Sequence, residues 1–385
     1  WGRWLSTIAA MVMFVALISG IITHKKIFKD FFTFRPRKGQ RSWLDGHNAV
    51  GVLVLPFHLM ISYSSLVIFM AMVMPASILA SYKGDVRAFY DEVFPASSTP
   101  ELAGTPGQLA PMAPLLERAR EQWAGGRVAR LTVNNPADAN ASVVLVRDGA
   151  DQVVHDASSA VTFNGVTGQL LSATPEQPAA MAVAGSFYGL HMGRFAGPVL
   201  RWLYFICGLA STAVIGTGLV IWLGKRQLKH AKSGVMPFEL RLVEVLNIAS
   251  MAGLTVAVAA FFWANRLLPV HMTGRADWEI NSFFILWGLS VIHAGIRPGR
   301  SAWVEQLILA ALLFCGIPLL NALTTSHHLV AALTQGDWAM AGFDLACLGS
   351  GLFLAWAAWK MRRSGRVATT TRQRAPAVSL EREVN

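Results

Sequence analysis

Seven long apolar stretches constrain this chain more than any other feature of its sequence. They run roughly over Trp4–Ile22, His47–Ala80, 196–223, 242–264, 278–296, 303–322 and 339–359. A bilayer core of about 30 Å takes about twenty helical residues to cross, and most of these stretches match that length. Inside hydrocarbon every backbone N–H and C=O must find its partner within the segment, so such stretches become helices. The reading is an all-α multi-pass membrane bundle of about seven spans with one inserted α+β domain. Residues 1–80 hold spans one and two with a basic loop between them. Residues 81–189 form the inserted domain, 190–362 hold spans three to seven, and 363–385 are a tail.

The formal charge of +11 would suggest nucleic-acid binding in a soluble protein. Here the placement of the charge argues for a lipid bilayer as partner and against nucleic acid. Lys25, Lys26, Lys29, Arg35, Arg37, Lys38 and Arg41 follow span one; Lys225, Arg226, Lys229 and Lys232 follow span three. Arg297 and Arg300 follow span five, and Lys360, Arg362, Arg363 and Arg366 follow span seven. Short basic loops mark the cytoplasmic side. The 81–189 region and the loops near Asn265–Asp277 and Thr324–Asp337 are then outside, and so is residue 1. The chain opens on Trp1 and enters an apolar run with no cleavage site after it, so further sequence is expected upstream.

The inserted region is expected to be one helix followed by an antiparallel sheet. Gln108–Trp123 carries helical apolar spacing, with Leu109, Met112, Leu115, Leu116 and Ala119 on one side. Arg127–Val133, Ser142–Val146, Ala160–Asn164 and Gln169–Ser172 read as strands. Asn134-Asn135-Pro136, Arg147-Asp148-Gly149 and Gly165–Gly168 read as turns. No catalytic motif is visible there, and His155 reads as a solvated surface residue.

Histidines are the informative set. Ionisable residues in spans are costly and usually face the bundle interior or a site. His24, His47, His58, His191 and His293 lie in or at the ends of spans, while His271, His327 and His328 sit in the outer loops. His47 and His58 are eleven residues apart. On one continuous helix that is about 16 Å along the axis and about 20° around it, so both face one interior. Neutral imidazole is a common axial haem ligand, and Phe57, Leu59, Met60, Phe14 and Phe31 offer apolar walls for a noncovalent haem. The rival reading of any one of these is a histidine that hydrogen-bonds between helices. His24, His47 and His293 fall in the cytoplasmic half, with His58 deeper. His191 falls at the outer end of span three, where its partner would be His271, His327 or His328.

Arg35, Arg37, Lys25 and Lys26 can pair with haem propionates or serve only as topology signals. Arg194 and Arg201 lie on the outer side, where they can bind an anion or snorkel to the interface. Cys207, Cys315 and Cys347 each lie within an apolar run, with no CxxC or CxxCH, and read as packing residues. There is no phosphate loop, no HExxH and no Gly-x-Ser-x-Gly, which argues against ATP-driven transport, zinc proteolysis and serine hydrolysis.

Several runs resemble a known family, the PepSY-associated transmembrane or iron-regulated membrane proteins. They are Ser19–Pro36 around His24, Arg41–Asn48 with His47, Leu55–Met60 with His58, Tyr188–Pro198 with His191 and Arg194, and Leu242–Ser250. The inserted region resembles a PepSY module, with Thr162–Gln169 as its late hairpin. The resemblance implies a bacterial inner-membrane protein of iron uptake with 81–189 in the periplasm. Some members resemble ferric-siderophore reductases of the ferrioxamine type, which use b-type haem. By that likeness His24, His47, His58 and His191 become haem ligands for two haems, with Arg35 and Arg194 beside them. Larger members carry a further span and PepSY module ahead of the first run seen here.

The functional expectation is a haem-b oxidoreductase. Electrons enter from a cytoplasmic donor or from quinol and reduce a ferric siderophore at the outer face, releasing ferrous iron. No general acid or nucleophile is needed. Two rivals differ in class. One is a non-enzymatic PepSY membrane partner or regulator with structural histidines. The other is a siderophore or metal permease, against which stands the small number of charged groups in the span centres.

Overall fold

A computed structural model of the chain describes residues 2–35, 40–93, 100–149, 152–154, 159–173, 179–230 and 235–373. Arg37, Lys38, His155, Lys232 and the tail beyond Gln373 lie outside the described residues. The fold is 72% helical with one small antiparallel sheet. It divides into two compact units, Trp1–Val214 and Ile215–Asn385.

The first unit opens with α1 (Gly2–Thr23), α2 (Ile27–Phe31), α3 (Gln40–Leu53) and α4 (Leu55–Ile68), followed by the short α5 (Met70–Val73), α6 (Pro75–Ser81) and α7 (Val86–Val93). The second apolar run is therefore not one helix. It breaks at Val54, and the two halves, Arg41–Leu53 and Leu55–Ile68, meet at 58°. Pro56 stands in the first turn of α4. It has no N–H to donate, and its ring would meet the carbonyl four residues earlier in an unbroken helix. Pro75 likewise opens α6. The placement of His47 and His58 one above the other on a single helix is thereby corrected: the bend puts them on different helices.

The inserted region follows. Helix α8 runs over Met112–Gln122. Strands β1 (Val128–Asn134), β2 (Ser142–Arg147), β3 (Ala160–Asn164) and β4 (Leu170–Ala173) pair antiparallel in chain order. The helix begins four residues later than its apolar spacing suggests, because Pro111 sits extended at its N-cap (φ −56, ψ 131). Val143 pairs with Phe163 and Leu145 with Val161. Residues two apart share one face of a strand. That face meets Leu115 and Ala119, one turn apart on α8, to form the core.

Helix α9 (Ala179–Met192) and the long α10 (Pro198–His230) lead on toward the second unit. Within the first unit, α4 packs against both α1 and α9. Gly185 and Gly189 are buried on α9, and small residues allow two helices to approach closely in a membrane.

The second unit holds α11 (Phe238–Ile248), a π-helical turn (Ala249–Gly253), α12 (Leu254–Leu267), α13 (Arg275–Ile296), α14 (Arg300–Thr324), α15 (Leu329–Gln335) and α16 (Trp338–Gln373). The π turn is tied to α13, because the Trp287 indole N–H donates to the Ala249 carbonyl at 3.0 Å. A Cβ on Gly253 would lie 2.6 Å from the Ser290 Cβ, so only glycine lets α12 and α13 meet there. Among the described residues six helices are long and apolar enough to cross a membrane, or seven with the bent pair α3–α4.

Candidate functional site

The histidines of the first unit sit in three different environments. His58 is 4% exposed on the face of α4 turned into the unit. Its Nε2 is buried and finds no hydrogen-bond partner among the described residues. A buried ring nitrogen left without a partner costs about 1–3 kcal/mol. Such an atom asks for a ligand.

His191 lies in the last turn of α9, against the same helix. Its Nδ1 is 2.9 Å from the Ser64 hydroxyl. That hydroxyl spends its own proton on the Met60 carbonyl at 2.6 Å, so toward His191 it can only accept. With the hydroxyl proton on that carbonyl, the imidazole proton falls on Nδ1 and the lone pair on Nε2. The Ile61 backbone on the same turn of α4 also hydrogen-bonds the ring. A hydrogen bond at one ring nitrogen that leaves the other free is how proteins prepare histidine for a metal.

Aromatic rings join the helices that carry these two histidines. Tyr63 stacks edge-on against Phe187 at 5.1 Å and lies 5.7 Å from Phe14, tying α4 to α9 and α1. Phe57 meets Tyr204 at 5.6 Å. The Tyr204 hydroxyl donates to the Leu190 carbonyl at 2.8 Å and so fixes the end of α9 beside His191. Gly193, at φ +59, turns the chain there with the Tyr204 ring 3.3 Å from where its Cβ would be. Of the aromatic walls expected from sequence, Phe57 and Phe14 stand here, whereas Phe31 packs on Phe32 outside it.

His47 is half-buried on α3, and its ring is hydrogen-bonded to the Val214 backbone on α10. His24 lies between α1 and α2, is 45% exposed, and faces Asp30 at 3.8 Å. Arg35 is committed elsewhere: it grips Asp45 through two parallel bonds, Nε to Oδ2 at 2.9 Å and a terminal nitrogen to Oδ1 at 2.8 Å. Those bonds to Asp45 push the Arg35 guanidinium above its ordinary pKa. As placed, it clamps the chain between α2 and α3 rather than reaching toward an anion. Arg194 lies 3.9 Å from Asp148, while Arg201 Nε donates to the Ala196 carbonyl at 2.7 Å.

In the second unit, His293 differs in kind. Gln306 donates one amide hydrogen to the Ser290 carbonyl at 2.8 Å and lies 3.2 Å from His293 Nδ1. The Ser290 carbonyl fixes the amide's orientation, so Nδ1 accepts and Nε2 carries the proton. That proton meets Glu305 Oε2 at 2.9 Å, and Arg297 grips the same carboxylate. Both ring nitrogens are in use, which leaves His293 none to offer a metal. His271 and His327 are exposed. His328 caps α15 by accepting from Ala331 N.

Sequence reasoning missed Ser64, Gln306 and an acid within the bundle. Asp344 on α16 is fully buried (0% exposed). It accepts from Asn321 at 2.7 Å, and Asn321 in turn accepts from Arg266 Nε at 2.7 Å. A lone acid in an apolar run is a signal the sequence does carry, as is the hydroxyl cluster Ser62-Tyr63-Ser64-Ser65. Among the described residues no three His, Cys, Asp or Glu side chains converge. The donor set at α4 and α9 is therefore neutral imidazole in an aromatic setting, which fits a haem held between helices.

The model of the family described as PepSY-associated TM region matches residues 1–225, a stretch that includes His24, His47, His58 and His191. The uncharacterized protein PA4219 of Pseudomonas aeruginosa (strain PAO1) is 24% identical over 388 residues, covering 94% of this chain and 91% of that protein.

Proposed function

Because the chain belongs to the PepSY-associated TM family, we propose that it is a haem-b electron carrier of a bacterial inner membrane that reduces ferric siderophores. The observation that carries this reading is the buried, partnerless Nε2 of His58 on the helix that also prepares His191. His58 and His191 are the residues that would hold haem here, with His47 and His24 as further ligands by family likeness. Bound haem b supplies a one-electron ferric–ferrous couple.

The chain's own groups have definable tasks. Ser64 keeps the His191 proton on Nδ1 and the ring aimed away from α4. Phe57, Tyr63, Phe187 and Phe14 exclude water and keep the local dielectric low. Tyr204 holds the end of α9 in place. Arg194 lies beside the inserted domain, where a cation suits a propionate or an anionic chelate. That domain, residues 81–189, is periplasmic in this reading. The acceptor there is ferric iron in a siderophore, which takes one electron and leaves as ferrous iron. The donor is a cytoplasmic reductant or quinol.

The test is an anaerobic optical spectrum of the purified protein, reduced with dithionite and then mixed with a ferric siderophore. Sharp b-type bands that decay on mixing are the expected result. Haem bands that stay reduced would move the substrate elsewhere. Protein made with ample haem supply that shows no haem bands would end the reductase reading in favour of a non-enzymatic membrane partner.

A further inference from the structure

An apolar groove opens between α14 and α16 in the second unit, with a cavity volume of about 250 Å³. Small residues carve it. Ala311 and Cys315 on α14 face Ala355 and Ala358 on α16, and Trp359 closes one side. Gly351 sets the depth, because a Cβ there would collide with the Cys315 sulfur. The lining spans eight residues on each helix, from Ile308 to Cys315 and from Ala355 to Arg362, which is about 10 Å.

The two ends of the groove differ. Most of it is hydrocarbon, inside helices apolar enough to span a membrane. Arg362 lines the other end, and the α16 span itself ends at Arg363. The neighbouring cations rest on tryptophan faces at that boundary: Lys360 lies 4.8 Å from the Trp356 ring and Arg363 4.8 Å from the Trp359 ring. An apolar slot that ends in a guanidinium at the hydrocarbon boundary has the charge pattern of an acyl chain under an anionic head. A quinone ring would need hydrogen-bond donors at both carbonyls, whereas the lining's donors, Arg362 and the Trp359 indole N–H, lie three residues apart on α16.

We propose that this groove binds one anionic phospholipid, with an acyl chain along Ala311, Cys315, Ala355 and Ala358 and its phosphate at Arg362. Native mass spectrometry of the full chain, released from detergent containing equal phosphatidylglycerol and phosphatidylcholine, tests it. The intact protein should retain one phosphatidylglycerol in preference to phosphatidylcholine by about fivefold, the ratio expected for one arginine at a lipid surface. Arg362→Gln, a surface change that leaves the groove intact, should remove that preference. Ala355→Trp should fill the groove and lose the retained lipid altogether. Equal retention of both lipids by the unaltered chain would overturn the proposal. So would an Arg362→Gln protein with its preference intact, or displacement of the retained lipid by a short-chain quinone at equal concentration.

Discussion

His58 and His293 both lie in apolar helices, and their ring nitrogens are in opposite states. In the first unit His58 keeps a buried nitrogen with no partner among the described residues, and a serine on α4 bonds Nδ1 of His191. In the second unit Gln306 and Glu305 take both nitrogens of His293. Depth in a membrane does not separate a ligand from a fastener. The hydrogen-bond state of each nitrogen does, because a bonded nitrogen has spent the lone pair or the site that a metal would use.

The strongest way to break this comparison is to exchange the two residues' fates. His58→Leu should lower haem per chain by half or more, whereas His293→Leu should leave it unchanged, both read from reduced spectra of purified protein. A haem-replete His58→Leu beside a haem-free His293→Leu would reverse the assignment. Ser64→Ala sharpens the same point. It removes the acceptor that sets the His191 tautomer and should weaken haem retention by about 10–100-fold, the usual cost of losing a metal ligand's supporting hydrogen bond. Ser64→Thr, which keeps the hydroxyl, should recover most of that loss.

On the side of the fastener, Gln306→Leu removes the amide that joins Ser290, His293 and α14. The Ser290 carbonyl would keep only its helical donor and His293 Nδ1 would lose the amide hydrogen, at a cost of about 1–3 kcal/mol. A lower thermal midpoint with unchanged haem content is the expected outcome. Lost haem with an unchanged midpoint would make the second unit's polar cluster part of the cofactor site.

How far the sequence shows this depends on the range of the interaction. The spans follow from local hydropathy, because hydrocarbon makes a demand on each segment separately. The strands of the inserted region follow from alternation and turn residues, and the structure keeps Ala160–Asn164 at its expected bounds. What departs from it is local too: Pro56 lies within the second run and breaks it, so His47 and His58 do not share one helix. What could not be read is tertiary. Neither hydropathy nor spacing pairs Ser64 with His191, 127 residues away, or aims Gln306 at His293. The seventh span also carries an acid, Asp344, which is buried in the bundle and bound by Asn321.

The inserted region extends the comparison to groups in water, and its key acid belongs with the fasteners. Asp138 accepts from the backbone N–H groups of Ala103 at 2.9 Å, Gly104 at 2.9 Å and Asn140 at 2.7 Å. Those bonds, Ala103's first, hold its carboxyl below the usual aspartate value. A depressed pKa in the folded state means the stabilisation is complete above the unfolded value, about 3.9, and is lost as pH falls through the folded one. Unfolding of this region, followed by tryptophan fluorescence at Trp123, should therefore show an acid limb beginning below about pH 4. Asp138→Asn cannot ionise and accepts through one oxygen only. It should lower the midpoint at neutral pH slightly and flatten that limb, with haem content untouched. If the limb stays as steep in the variant, another carboxylate carries it, and Asp138 is a loop organiser whose charge does not matter.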